Sequence, residues 1–370
     1  MSATASTNQL DVLDSPAERR QAMFARLILF GGASSLALVV GGTLIVVLLH
    51  GLLPYERVVE GLLAPETRMV LYTGVGLGLL AVIAGFTRYR TMPTKRSREH
   101  SIAGGVLGIQ ALILGLILIV FREAGDPDRF VFHFMNIEKL QDYGLPVFAR
   151  AAVNTVILAF VGEFGGIILG LMLSVLSLSK RAVVRAPARV YINFFRGTPL
   201  IWQLGIFYFG FSIGLGIRPE IVLGPLDFGT AYTTAMIVFV LNTAAYAAEV
   251  FRAGIQSIER GQIEAARSLG MTYGQAMRFA IVPQAFRRVI PALTNEFVIL
   301  IKDTSLIVIL GLAADELELF SLAQQGYSDT FNATFFTAAA AGYLAITLPL
   351  IRLVNALEKR LRSGLVTVTS

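Results

Sequence analysis

The 370-residue chain contains no cysteine and only three histidines, His50, His100 and His133, far apart in sequence. The first absence excludes a disulfide framework, thiolate metal sites and cysteine nucleophiles, and the second leaves no histidine cluster to hold a metal ion. Charge is scarce as well: 15% of the residues are charged, whereas 55% are hydrophobic. That balance excludes an ordinary soluble domain and fits a membrane protein. There is no Gly-Lys-Ser or Gly-Lys-Thr phosphate loop, so ATP chemistry has no seat in this chain.

Apolar runs, by contrast, are abundant. A bilayer core about 30 Å thick takes roughly 20 apolar helical residues, because lipid offers no partners to backbone amides and a helix satisfies them internally. Eight stretches qualify, approximately 27–53, 69–87, 102–121, 151–178, 197–217, 228–248, 289–313 and 333–351. The expected fold class is therefore an all-α polytopic membrane protein of about eight transmembrane helices. The first stretch comes after Arg19, Arg20 and Arg26 but is too long for a signal peptide and lacks a small-residue cleavage site.

Basic residues set the expected orientation. With the N-terminus inside, the inner segments carry clusters such as Arg88, Arg90, Lys95, Arg96, Arg98 and Lys180, Arg181, Arg185, Arg189, while the outer ones hold scattered Arg57, Arg68, Arg122, Arg129, Lys139, Arg150 and Arg218. Both termini are then cytoplasmic. The net charge of +6 arises from this topology and from attraction to anionic lipid headgroups; it requires no nucleic-acid partner.

The plan along the chain is uneven. Residues 1–26 read as a polar, disordered cytoplasmic tail, 27–121 as a three-helix accessory membrane region, and 122–146 as an external connection with a turn at Asp126-Pro127-Asp128. Residues 147–358 hold the polar membrane positions and 359–370 a cytoplasmic C-terminal tail. Gly162, Gly166 and Gly170 recur every four residues. That spacing suits close helix packing, within the subunit in preference to across a dimer.

A loop at 254–290 separates two of the spans. Its first half, 257–271, predicts a short helix with Ile263, Ala266 and Leu269 along one stripe, Ala265 beside them, and Glu259, Arg260 and Arg267 off it. Small side chains let another protein's groove approach the backbone, and Gly270 permits a sharp exit. Thr272 with Gln275 is a candidate capping box for a second helix, and Pro283 and Pro291 bend or end the chain's helical course beyond it. Physical reasoning alone also allows an interfacial helix that touches only lipid headgroups.

Glu264, Ala265, Ala266 and Gly270, with Pro283 at the end, resemble the "EAA" coupling loop of ABC-transporter membrane subunits; Ala280 and Val282 depart mildly from that pattern. Further segments, Phe194-Phe195-Arg196-Gly197-Thr198-Pro199-Leu200, Tyr246-Ala247-Ala248-Glu249-Val250-Phe251-Arg252 and Lys302-Asp303-Thr304-Ser305-Leu306, are similar to the polar amino-acid permeases of type I ABC importers, the histidine, glutamine and general amino-acid permease family. The resemblance spans roughly 149–361 and implies a five-helix permease core preceded by three extra helices. It also implies a bacterial inner-membrane location, a cytoplasmic ABC ATPase dimer, an external or periplasmic solute-binding protein, a second permease subunit, identical or related, and an amino-acid substrate. The coupling residues would be Ile263, Glu264, Ala265, Ala266, Arg267, Leu269 and Gly270, and the chain itself would be a transport permease with no catalytic residue, metal or cofactor.

Polar residues at membrane depth cost at least ~2.5 kcal/mol when charged unless they are paired or face water. Asn242, Tyr246 and Glu249 share one helical face, and Asn295, Ile299 and Lys302 another. Lys302 or Arg196 could receive an amino-acid carboxylate; Glu249, Asp303, Thr304 and Ser305 could receive its ammonium. Thr198 completes the candidate pathway or gate. Each of these charges also suits a structural or gating role. Glu163, where the family supplies no expected acid, is expected to form a buried pair with Lys302 or Arg196, or to line the cavity. The alternative is an ion-coupled secondary transporter or channel, in which Glu163, Glu249, Lys302 and Asp303 handle ions.

Overall fold

The computed structural model describes residues 15–141, 143–223 and 226–362. It divides into two compact units at Gln141/Asp142, inside the segment expected to connect them. Among the described residues, six helices are long and apolar enough to cross a membrane: Pro16–His50, Pro65–Thr91, Lys95–Ala124, Gly144–Ser177, Thr230–Gln256 and Thr334–Leu361. The expected 197–217 span corresponds to a shorter apolar helix, Leu200–Gly214. The expected 289–313 span corresponds to the helix Val282–Asp303, which carries Arg287, Arg288, Glu296, Lys302 and Asp303 and so is amphipathic, turned toward the bundle.

In the first unit α1 (Pro16–His50) starts well inside the stretch expected to be a disordered tail. Ser15 caps it: its hydroxyl accepts from Glu18 N while Glu18 accepts from Ser15 N, both at 3.2 Å, and Pro16 takes the first turn. That capping box is local chemistry that overrides the polar composition; residues 1–14 of the expected tail lie outside the described residues. A short helix, α2 (Tyr55–Leu63), then leads into α3 (Pro65–Arg88), and α4 (Lys95–Ala124) comes next. The three long helices meet through backbone. A Cβ placed on Gly32 would lie 2.2 Å from the Gly104 carbonyl oxygen, so no side chain fits there. Ser35 Oγ donates to Gly74 O at 2.6 Å between α1 and α3, and Ser101 Oγ to Gly85 O at 3.0 Å between α4 and α3. Arg122 donates to the carbonyls of Leu62, Leu63 and Ala64, a cation on the C-terminal end of α2. α5 (Pro127–Phe134), capped by Asp126, occupies the aromatic stretch of the expected connection.

The second unit is built on α6 (Gly144–Ser177), α7 (Ala182–Gly197), α8 (Leu200–Gly214), a two-stranded hairpin of β1 (Ile221–Leu223) and β2 (Leu226–Phe228) with Ile221 opposite Phe228, and α9 (Thr230–Gln256). The 254–290 loop contributes two short helices, α10 (Arg260–Ser268) and α11 (Tyr273–Ala276), and beyond it come α12 (Val282–Asp303), α13 (Leu319–Thr330) and α14 (Thr334–Arg362). The hairpin is an exception to the all-helical expectation and lies between two spans. α9 is the central helix: 67% of its apolar window is buried, against 39% for α6 and 22% for α14. Its core partners include Leu158, Leu204, Leu300 and Ile307.

α6 seats on α9 through the predicted glycine row. A Cβ on Gly162 would lie 2.8 Å from Phe239 Cβ, one on Gly166 2.6 Å from Thr243 Cβ, and one on Gly170 2.7 Å from Ala247 Cβ and 2.8 Å from Ala244 O. The row therefore packs within the chain. At the end of the bundle away from the loop, Tyr232 OH donates to Asn154 O, and Asn154 Nδ2 donates to Asp315 O at 2.9 Å and Leu317 O at 3.0 Å. Glu318 caps α13, accepting from Ser321 N, Phe320 N and Tyr343 OH. Burial pushes its carboxyl above the ordinary range, and hydrogen bonds from Tyr343, Ser321 and Phe320 pull it back in part. Replacing Gly166 by leucine forces α6 off α9 and is expected to cost about 1–3 kcal/mol or more. A thermal-unfolding midpoint in detergent at least several degrees below wild type checks this, and Ile168→Leu, at an exposed position on α6, should leave the midpoint unmoved.

Candidate functional site: the coupling loop and the polar cavity

Loop and cavity sit at two levels of the second unit. The loop helix α10 ends in a closed hydrogen-bond pattern: Gly270 N donates to Arg267 O at 3.0 Å and Met271 N to Ala266 O at 3.2 Å, with Gly270 at φ +84°. This is a Schellman termination, which glycine makes at no Cβ cost. Thr272 and Gln275 form the expected capping box, with Thr272 N to Gln275 Oε1 at 2.8 Å and Gln275 N to Thr272 Oγ1 at 3.3 Å. Arg288 donates to Ser257 O at 2.6 Å and thereby ties the start of the loop to α12. Pro283 lies in the first turn of α12, and Pro291 lies inside it without ending it.

The seven loop residues divide by direction. Ala266 is buried and Ile263 packs on the cluster of Ile258, Ile281 and Ala285. These two hold the loop to its own chain. Glu264, Ala265, Arg267, Leu269 and Gly270 are exposed, Leu269 at 81%. The outward surface is thus a rim of small and charged residues around one leucine, not the whole apolar stripe that the spacing suggested.

A cavity of about 470 Å³ lies between α6, α7, α8, α9 and α12, lined by Glu163, Arg196, Thr198, Asn242, Tyr246, Glu296 and Asp303 with apolar neighbours. Six of the predicted pathway residues thus converge. The helix break between α7 and α8 supplies the floor: Gln203 Nε2 donates to Phe195 O at 2.9 Å, Thr198 O at 3.1 Å and Thr198 Oγ1 at 2.8 Å, and its Oε1 accepts from Asn242 Nδ2 at 3.0 Å. Gln203 is fully buried, and its amide satisfies backbone groups freed where the helix stops at Gly197.

The expected Glu163 pair does not form. Both its carboxylate oxygens are buried without a hydrogen-bond partner. Arg196 goes instead to Glu249, at 3.7 Å, and lies over the Tyr246 ring at 5.5 Å. Glu249 is held more closely by Arg252, at 2.5 Å, one turn along α9. Asn295 and Lys302 are exposed and outside the cavity lining. Thr304 is buried and donates to Ile301 O at 2.7 Å, and Ser305 donates to Lys302 O at 2.8 Å. Their hydroxyls are spent on their own helix turn. Glu296 takes the place given to Asn295. The signal was present, since Glu296, Ile299, Leu300 and Asp303 follow i, i+3, i+4, i+7 and define the face one position round from that chosen.

A bundle of apolar helices around a polar cavity, with a hydrogen-bonded two-helix loop beyond its end, defines a membrane transport component. The match to the family model for "binding-protein-dependent transport system inner membrane component" covers residues 166–363, and the chain belongs to that family. The probable amino-acid ABC transporter permease protein YckA of Bacillus subtilis (strain 168) is 42% identical over 168 residues, 45% of this chain and 70% of the relative. The probable glutamine ABC transporter permease protein GlnM of the same organism is 36% identical over 233 residues, 62% of this chain and the whole of the relative. A solved structure, described as the crystal structure of an amino acid ABC transporter with histidines, matches with a TM-score of 0.53 and 32% identity, covering 60% of this chain and 98% of that one. The chain is a multi-pass permease subunit, and the ATP hydrolysis that drives such transporters belongs to a separate subunit. Permeases of this kind work with an ATPase and a solute-binding protein.

Replacing Gln203 by alanine leaves the Asn242 amide and the Phe195 carbonyl short of partners, at an expected cost of about 1–3 kcal/mol. Amide hydrogen exchange should quicken at 195–204 in the variant, while exchange in 260–270 stays at the wild-type rate.

Proposed function

We propose that this chain forms the translocation pathway of an ATP-driven amino-acid importer in a bacterial inner membrane, with both termini cytoplasmic. Two ABC ATPases would engage the loops of two permease subunits, identical or related, while an external solute-binding protein delivers the amino acid on the other side. The observation that carries the reading is the loop tip: a Schellman-closed helix that presents Glu264, Ala265, Arg267, Leu269 and Gly270 outward while Ile263 and Ala266 anchor it. Such a tip offers a partner a fixed shape rather than a flexible tether. Relatives named for amino acids, glutamine and arginine support the substrate class, as does a cavity of about 470 Å³ with polar and charged lining.

The mechanism is one of alternating access. ATP binding closes the ATPases and carries the loops together, the helices around the cavity open outward, and hydrolysis restores the inward-facing state. Arg196 and Glu249, near the loop end of the cavity helices, form a gate whose ion pair of 3.7 Å can exchange with Arg252.

Co-purification with candidate ATPase and sister-permease subunits in lipid, followed by ATPase assay with loaded binding protein, tests the reading. Stimulation is expected for wild type. Gly270→Trp, whose bulk meets both the left-handed φ and the partner surface, should lower it by about tenfold or more, comparable to losing an interface anchor. Membrane insertion should remain normal. Absence of any associating ATPase would overturn the importer in favour of ion-coupled transport.

A further inference from the structure

The three long helices of the first unit supply no residue to the cavity lining. At the end of their bundle where α1 begins, the turn between α3 and α4 ties them together. Met92 in that turn is buried against Ala25 and Ile28 of α1. Arg98 Nε donates to the Met92 carbonyl at 3.1 Å, Thr94 caps α4 by accepting from Ser97 N at 3.1 Å, and the Arg88 guanidinium lies 5.1 Å from the centre of the Phe24 ring. These contacts hold basic residues of three helices at one level: Arg26 on α1, Arg88 and Arg90 where α3 ends, and Lys95, Arg96 and Arg98 at the start of α4.

All of these cations are exposed. Opposing charge at this end is sparse among the described residues: Glu18 is spent on Ser15 N at 3.2 Å, and Glu99 lies 4.0 Å from Lys95. Topology alone asks for cations somewhere on one side of the membrane; it does not ask for them to be fixed level on three helices. About one turn inward along each helix, roughly 5.4 Å, the exposed surface becomes apolar. Phe30, 71% exposed, follows Arg26, Ile102 follows Arg98, and Phe86 and Ile83 precede Arg88. The surface therefore fits a partner that places anionic groups directly beside hydrocarbon. An acidic protein or a free phosphate would meet the cations and leave the apolar flank bare.

We propose that this end of the first unit binds an anionic phospholipid with two phosphates, of the diphosphatidylglycerol class. The phosphates are received by the cations of α1 and α4 and the turn between α3 and α4, and the acyl chains run along the apolar flanks of the same three helices. Arginine offers a phosphate two parallel N–H donors. The cations gathered here exceed what one phosphate neutralises, which favours the two-phosphate head over a singly charged one. A lipid held by three helices at once binds their assembled form and not the separated helices, so it stabilises the bundle.

The full-length chain, delipidated in detergent, is titrated with diphosphatidylglycerol, phosphatidylglycerol or phosphatidylethanolamine. Bound lipid is counted by native mass spectrometry and the thermal midpoint is followed in parallel. Diphosphatidylglycerol should bind at least about tenfold tighter than phosphatidylglycerol and raise the midpoint, and phosphatidylethanolamine should do neither. A basic residue near an anionic surface is worth about fivefold in binding. The combined change Arg26→Gln, Lys95→Gln and Arg96→Gln should therefore weaken diphosphatidylglycerol binding by at least about tenfold. The same charge removed from exposed positions of the second unit, Lys180→Gln, Arg181→Gln and Arg189→Gln, should leave it within about threefold of wild type, as should the charge-keeping pair Arg26→Lys and Arg96→Lys. A lipid-free midpoint equal to wild type reports that each variant is folded, and the comparison of lipids on wild type stands without any variant. Equal binding of phosphatidylglycerol, equal weakening by the second-unit changes, loss of binding in the lysine pair, displacement of the lipid by inorganic phosphate, or tighter retention of poly-L-glutamate than of lipid would each overturn the proposal. Transport and ATPase association play no part in these readouts.

Discussion

The second unit depends on one contact, the meeting of α6 and α9 without side chains between them. Inside a bilayer the hydrophobic effect gives helices no reason to associate, since lipid is as apolar as leucine; close backbone approach supplies van der Waals packing in its place. Gly162, Gly166 and Gly170 provide it along more than two turns, with Phe239, Thr243 and Ala247 pressed into the row. The close seating fixes both the height and the azimuth of α6. Glu163 is next to the first glycine of the row, so the contact that joins the helices also decides where that carboxylate is held.

Around this pair the polar groups are sorted with economy. Amide side chains, Gln203 and Asn242, repair the backbone where α7 stops and α8 begins. Hydroxyls such as those of Thr304 and Ser305 fold back on their own turns. Two arginines converge on Glu249. After these assignments the cavity lining keeps the carboxyl groups of Glu163, Glu296 and Asp303 and the hydroxyls of Thr243 and Tyr246.

Much of this was legible in the sequence because its signals are local or periodic. The apolar runs identified the long helices, the four-residue glycine spacing the close packing, and Thr272 with Gln275 the turn between the loop helices. What escaped depended on direction. The stripe of Ile263, Ala266 and Leu269 is apolar throughout, yet two of the three face their own chain; only the fold shows that Ala266 is buried and that Ile258, Ile281 and Ala285 wait beneath Ile263. On α12 a rotation by one residue separates Asn295 from Glu296, about 100° round the axis, and no spacing rule chooses between two polar neighbours. The Glu163 pair failed for a related reason: Arg196 had a second acid, Glu249, and charge counting along a sequence cannot say which partner is reached first. The capping box at Ser15, by contrast, was readable and outweighed by composition.

The loop joins the end of α9 to the start of α12, and both helices continue from it to the cavity, one carrying Asn242 and Tyr246, the other Glu296 and Asp303. With Arg288 pinned to Ser257 at the base, loop and helices make a stiff fork whose prongs are two walls of the chamber. A push delivered at the handle therefore arrives at the ligand as a change in the spacing of the prongs, and needs no relay of side chains to get there.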